Sequence, residues 1–374
     1  NILFIIMKNY LEFEKEIKAL EEEVDNLKSP FGSEGISEVD TQKIKTTQEE
    51  INEKLRETYS NLNSWQKTLV ARHEDRPRAN YYIKKIFDSF TPLSGDRLFG
   101  DDKSVIAGFG LIENKSVLVI GQEKGEDLNS RIERNFGMMR PEGYRKSIRL
   151  MELADKFKIP IVAFIDTPGA YPGVGAEERG QAEAIARSIE CCMKLKVPNI
   201  SIIIGEGGSG GAIALASASK VIMLENAIYS VISPEGCATI LWRDPKKTLE
   251  AATAMRLTSK DLLDLKIVDE IIQEPIGGAH RDREQTLENI RGVLIKNLET
   301  FENLNDEEII TQRKNKFLQI GRNSGFSSKS DNNIGLSIKK TNLDVIFEKI
   351  VLKKNYFIFA FISLSIIIGL IYLL

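Results

Sequence analysis

The stretch SIIIGEGGSGGAIA, residues 201–214, sets the reading of the whole chain. An apolar run predicts a buried strand, the glycines a turn, and the small residues behind them a helix. Gly207 and Gly208 let backbone N–H groups approach a ligand closely, and a helix start adds positive potential there. Such a turn suits an anion, a phosphate or a developing oxyanion. The plain alternative is a tight strand-to-helix turn with no ligand.

Two familiar spacings overlap this stretch. Gly205-x-Gly207-x-x-Gly210 fits a dinucleotide fingerprint, with Glu225 ending the next strand as the acid, but the helix behind it is short and the segment falls late in its domain. Gly207-x-Ser209-x-Gly211 fits a nucleophile elbow, yet His280 is the only later histidine and no orienting acid accompanies it. Ser209 reads better as a helix N-cap.

Outward from this stretch, β-branched runs at 116–120, 159–165 and 220–224 alternate with helical patterns at 143–157, 177–195, 234–242, 248–256 and 281–298. That alternation predicts an α/β core with a buried sheet. A second turn, DTPGAYPGVG at 166–175, places glycines and prolines at another strand end, so the two turns are expected to share a cleft. Asp166 reads as a base or as a turn residue, and Tyr171 as a cleft wall or packing. Arg134, Asn135, Phe136, Gly137, Met138, Arg140, Tyr144, Arg145 and Lys146 form a basic cluster, suited to CoA phosphates or to a solvated face. His73 lies among charged neighbours, Ala71 to Pro77, and is expected at a salt-bridged surface rather than in catalysis.

The chain has 374 residues, enough for a sizeable core, and 42% hydrophobic with 28% charged residues excludes disorder of the whole. With 51 basic and 54 acidic residues the net charge is −3, and no nucleic-acid partner is expected. Cys191, Cys192 and Cys237 offer no Cys-x-x-Cys pair, and His73 and His280 are the only histidines, so no metal site is expected in this chain. The cysteine usage suits a reducing compartment.

Residues 1–6 are apolar without a basic flank, so Met7 is expected as the true start and the residues before it as read-through. Residues 7–75 predict a helical hairpin, through Ile17, Leu20, Val24 and Leu27 and then Ile44, Ile51, Leu55, Tyr59 and Trp65. The core follows over 76–320 and ends in a helix. Residues 321–355 read as a polar flexible linker, and 356–374, uncharged behind Lys353 and Lys354, as a single membrane span.

Taken together, LEFEKEI, ARHEDRP, RNFGM, PEGYRKSIRLM, FIDTPGAYPGVGAEERGQAEAIAR, IIGEGGSGGA, YSVISPEGCATILW and EPIGGAHR resemble the carboxyltransferase α subunits of multi-subunit acetyl-CoA carboxylase, over about 11–317. The resemblance implies a crotonase-like (ClpP/crotonase) ββα superhelix, with the hairpin in front and the single-span hydrophobic tail behind. It implies transfer of a carboxyl group from carboxybiotin, on a separate biotin carboxyl carrier protein, to acetyl-CoA, giving malonyl-CoA for fatty acid synthesis. Gly207 and Gly208 would form the oxyanion hole on the biotin side. Thr167, Pro168, Gly169, Ala170, Tyr171, Ser209, Gly210, Glu235 and Gly236 would shape the substrate site. A β subunit would complete an α2β2 heterotetramer and carry the zinc. Biotin carboxylase would be a further partner and would use the ATP. The setting would be bacterial cytoplasm or plastid stroma, with a membrane tether through 356–374.

The family's Gly-His-Gln-Lys-Gly stretch reads Gly121-Gln122-Glu123-Lys124-Gly125 here, and its His-Gly-Asp-Arg stretch reads Ser94-Gly95-Asp96-Arg97. Neither missing histidine can be essential in a working chain. Two other readings stay open: a stand-alone crotonase-like acyl-CoA hydratase or decarboxylase using Glu206 or Glu235, and a noncatalytic membrane-tethered scaffold.

Overall fold

The computed structural model describes residues 9–28, 31–32, 35–36 and 41–322. The expected leader, the linker beyond residue 322 and the expected span 356–374 lie outside the described residues. Among the described residues no helix is long and apolar enough to cross a membrane.

The chain begins with α1 (Lys15–Lys28) and α2 (Thr41–Ser60), joined through the short antiparallel pair β1 (Phe31–Gly32) and β2 (Gly35–Ile36). Ile17 and Val24, one heptad apart, meet Ile51 and Leu55 in a small separate core. Arg281 fastens this pair to the main body, reaching Glu14 at 2.9 Å and Glu21 at 2.6 Å. Helix α3 (Ser64–Ala71) opens on an Asn63–Gln66 capping box and leads to α4 (Ala79–Ile86).

The main sheet starts with the antiparallel strands β3 (Ser89–Pro92), β4 (Val105–Ile112) and β5 (Lys115–Gln122). The β4–β5 hairpin turns on Glu113 and Asn114, both at positive φ (45° and 63°), as a two-residue primed turn requires. Strands β6 (Ile161–Thr167), β7 (Asn199–Gly208), β8 (Lys220–Leu224) and β10 (Glu270–Ile272) then add in parallel, giving the order β10-β8-β7-β6-β5-β4-β3. Strand β9 (Ile228–Ser230) pairs with the last three residues of β7 and bridges to Thr258 through Ile228. Every residue of β6 is buried, and all of β7 but Gly208, as expected for strands covered on both faces.

The connections carry α5 (Leu128–Glu133), α6 (Pro141–Lys156), α7 (Val174–Glu178), α8 (Gln181–Lys194), α9 (Ser209–Ala216), α10 (Pro234–Cys237), α11 (Thr248–Met255), α12 (Ser259–Asp264), α13 (Arg283–Thr300) and α14 (Asp306–Gln319). Three sequence expectations need correction. The helix predicted over 177–195 is two helices, because Gly180 is left-handed at φ 80° and breaks the run. The helix predicted over 234–242 is α10 followed by a π-helical turn, Ala238–Trp242. Strands β3 and β4 were not anticipated: the glycines of VIAGFGLI mask the pattern. They allow close packing, since a Cβ on Gly108 would lie 2.1 Å from the Thr91 carbonyl oxygen.

Candidate functional site

The two glycine-rich turns do converge. Strand β7 runs through Glu206, Gly207 and Gly208 without a loop, and α9 starts at the next residue. Gly208 packs directly on the other turn: a Cβ there would lie 2.2 Å from the Pro168 carbonyl oxygen and 2.8 Å from the Gly169 nitrogen. Gly211, in the first turn of α9, would meet the Gly169 carbonyl at 2.7 Å. Glycine is therefore required at both positions so that two backbones can touch. A Cβ on Gly207 would strike the Tyr229 ring at 2.9 Å, so this strand face is closed as well.

Ser209 is the first helical residue of α9 rather than its cap. The N-cap position is Gly208 and no side chain caps the helix. Ser209 sits at φ 47°, the left-handed region that costs a non-glycine residue of order 1 kcal/mol. With no side-chain cap, the start of α9 keeps unpaired first-turn donors at the positive end of the helix, an arrangement suited to an anion. From Ser209 and Gly210 a mostly apolar cavity of about 390 Å³ opens between Ile213, Tyr229 and Val231.

The facing turn is fixed by its own side chains. Thr167, fully buried, donates its hydroxyl to the Gly169 carbonyl (2.7 Å). Tyr171 donates its backbone N–H to the Met139 carbonyl (3.1 Å), and the Arg140 guanidinium lies over its ring at 4.5 Å. Ala170 is partly buried between these elements. Glu235 is reached from below by Arg72 at 2.5 Å, and Gly236 donates to the Ser233 hydroxyl that caps α10.

Beneath the two turns lies a charged cluster that sequence reasoning did not assemble. Lys124 Nζ contacts Glu206 Oε2 at 2.6 Å and Asp166 Oδ1 at 2.7 Å. Arg72 contacts the other Glu206 oxygen at 2.5 Å, Arg78 contacts Asp166 at 3.2 Å, and the Glu206 backbone N–H donates to Asp166 at 3.0 Å. Burial alone would raise the Glu206 pKa, but Lys124 and Arg72 outweigh it and hold the carboxyl down at about 2. Asp166 is thus an ion-paired strand-end residue 1% exposed, not a free base.

The segment expected as a salt-bridged surface around His73 is instead interior. His73 is 3% exposed and Arg76 2% exposed, the latter paired with the buried Glu274. The cations of Arg72, Arg76 and the following Arg78 face inward because they find carboxylates on β7, the chain after β10 and β6, which the local sequence could not reveal, while Glu74 stays exposed. The two histidines stack, with ring centroids 3.7 Å apart.

Nor does the basic cluster present one cationic face. Lys146 is buried against Asp101 and the Val105 carbonyl, Tyr144 is wholly buried, and Arg145 donates to the Arg179 carbonyl. At the position of the family's first missing histidine, Gln122 donates to the Gly211 carbonyl at 2.7 Å. An amide N–H there bonds the first turn of α9, as an imidazole N–H could. At the other, Ser94 accepts from Arg149 through its backbone carbonyl at 3.1 Å, and Asp96, two residues on, accepts from the backbone N–H groups of Leu98, Phe99 and Gly100. Among the described residues no group of three or more His, Cys, Asp or Glu side chains is placed to hold a metal.

A family profile described as acetyl co-enzyme A carboxylase carboxyltransferase-like matches residues 10–321. A Pelagibacter ubique protein named acetyl-coenzyme A carboxylase carboxyl transferase subunit alpha is 67% identical over 368 residues, covering 95% of this chain and all of the relative. One of the same name from Gluconacetobacter diazotrophicus is 52% identical over 318 residues, covering 85% and 99%. Among solved structures, a transcarboxylase 12S with methylmalonyl-coenzyme A and methylmalonic acid bound superposes with a TM-score of 0.50 at 19% identity. That match covers 62% of this chain and 44% of the other, and speaks to the shared fold alone.

Proposed function

Because the chain belongs to the acetyl-CoA carboxylase carboxyltransferase α-subunit family, we propose that its paired glycine turns are the half-site that accepts negative charge during carboxyl transfer to acetyl-CoA. The protein is the α subunit of that transferase and an enzyme of the α/β class. We read its core as a crotonase-like ββα superhelix over 76–320, preceded by the helical hairpin.

One observation carries the site assignment: Gly207 and Gly208 end a buried strand, Gly208 touches the Pro168–Gly169 backbone, and the strand runs straight into a helix without a side-chain cap. Carboxybiotin, on its carrier protein, supplies the carboxyl group and is left with negative charge on its ureido oxygen. The N–H groups at Gly207 and Gly208, with the start of α9, supply fixed dipoles for that charge without a side-chain nucleophile. Thr167 to Tyr171, with Ser209, Gly210, Glu235 and Gly236, would bound the substrate on this side. A β subunit would supply the second oxyanion site, most CoA contacts and the zinc, in an α2β2 assembly served by biotin carboxylase.

A stand-alone hydratase or decarboxylase fits less well. Glu206, its best acid or base beside the glycines, is held well below the usual carboxylate range by Lys124 and Arg72, which leaves it ionised near neutrality and poorly matched to general acid–base work. The scaffold reading leaves the glycine contacts without a purpose. The decisive assay mixes the purified chain with a matching β subunit, carboxybiotin and acetyl-CoA and measures malonyl-CoA. Product is expected only with both subunits; product from this chain alone would overturn the two-subunit reading. The membrane tether is tested by fractionation after gentle lysis, where a wholly soluble full-length chain would refute it.

A further inference from the structure

The five residues Gly121–Gly125 leave β5 at its buried end, and Lys124 is their one cation. Its ammonium sits between two carboxylates from two different strand ends, Asp166 on β6 and Glu206 on β7. Each of these residues lies within two positions of a backbone contact between the two turns, since Pro168 meets Gly208. The Lys124 stem is held in turn by a strained segment: Asn135, Phe136 and Gly137 are all left-handed, at φ 48°, 56° and 82°. A Cβ on Gly137 would press on the Lys124 Cγ and on the Asp166 carbonyl oxygen, each at 2.8 Å. Strain of this kind persists only where the surroundings hold it in place.

We propose that Lys124 is a positioning residue that clamps the Asp166 and Glu206 strand ends together, and so fixes the Gly207–Gly208 N–H groups against the Pro168–Gly169 turn. This rests on the assignment of those glycines as the charge-accepting site. Lys124 itself touches no substrate. A misplacement of about 1 Å at such a site costs roughly 100-fold in rate, and a bridging ammonium resists it better than either turn alone. Glu206 is faced by Lys124 beyond β5 and Arg72 beyond α3; Asp166 accepts from its backbone N–H, Arg78 balances Asp166, and Glu235 shares Arg72. With Lys124 gone, one cation fewer opposes the burial of Glu206, so its pKa rises from about 2.

The test uses the full chain assembled with its β subunit and compares K124M, K124R, the double variant K124M/E206Q and G208V. K124M is expected to lower kcat by about 10- to 100-fold with KM for acetyl-CoA nearly unchanged. Its pH–rate profile should gain an acid limb that the parent lacks, and K124R should recover most of the rate. K124M/E206Q, which strands no charge at Glu206, should regain thermal stability and lose the acid limb yet stay slow. It also keeps the question answerable should K124M alone fail to fold. A parental kcat in K124M, or full recovery of rate together with stability in the double variant, would overturn the clamp. If G208V turns over at the parental rate, the oxyanion reading itself fails; an inactive G208V beside a fully active K124M sinks the clamp alone.

Discussion

Gly208 shows how little room a single residue can have. Its hydrogen faces a carbonyl oxygen that a methyl group would approach to 2.2 Å, well inside contact distance. Gly208→Ala must therefore part the two turns, and both the position and the direction of the N–H donors change with them. Loss of one well-placed oxyanion donor costs about 100- to 1,000-fold in kcat, and the same range is expected here in the assembled enzyme, measured as malonyl-CoA formed per active site. The sequence marked this residue, because four glycines around one serine after an apolar strand have few other uses. It did not mark Lys124, Arg72 or Arg78, whose partners lie 40 or more positions away in the chain. A charged side chain next to other charged side chains looks like surface until the fold supplies its counter-ion.

At the scale of elements, α14 illustrates a helix held from inside. Arg313 is wholly buried and donates to the Leu195 and Val197 carbonyls at 2.6 and 2.8 Å and to the Ser219 hydroxyl. Burial lowers its pKa to about 10, and it stays charged at neutral pH. Arg313→Ala would leave two buried carbonyls without donors and is expected to destabilise the fold by about 3 kcal/mol, at roughly 1–3 kcal/mol per stranded group; urea unfolding measures it. Substituting Arg281, the fastening of the α1–α2 pair, should act locally instead. Arg281→Ala removes the cation shared by Glu14 and Glu21, so faster amide exchange is expected in α1 and α2 with β6 and β7 unchanged. The hairpin helices and the parallel strands were readable because their apolar spacing is regular. Gly180 was not read as a break, because a left-handed glycine within a helical pattern looks the same as a tolerated one.

Across the whole molecule, buried charge makes stability depend on pH in one direction. Burial, reinforced by the neighbouring charges of His73 and Arg76, lowers the His280 pKa to about 2, and burial lowers that of His73 despite the Asn9 carbonyl. Folding therefore biases both stacked rings toward the neutral form, whereas in the unfolded chain each ring takes a proton below about pH 6.5. The unfolded state then binds more protons, so stability falls as pH drops below about 6.5, by roughly 1.4 kcal/mol per pH unit for each ring fully protonated only when unfolded. Glu206 and Glu274, whose pKa values the arginines and Lys124 hold below the usual range against burial, add a second decline below about pH 4.3. Urea unfolding from pH 8 to 4 is expected to show this fall, with a shallower slope in His280→Phe, which keeps a stacked ring but no titratable group.

The sequence by itself determined the class of the fold, the family and the glycine turns, since all three are written in local patterns: apolar period, helix spacing and short motifs. Only the tertiary structure decided that the two turns touch through Gly208 and Pro168, that Ser209 begins a helix it does not cap, and that the arginines after α3 point inward. The physical reason is range. Backbone propensity and apolar periodicity act over a few residues, but the pairing of a buried charge depends on which strand ends the sheet brings side by side. Lys124 acquires its meaning only where β5, β6 and β7 end together.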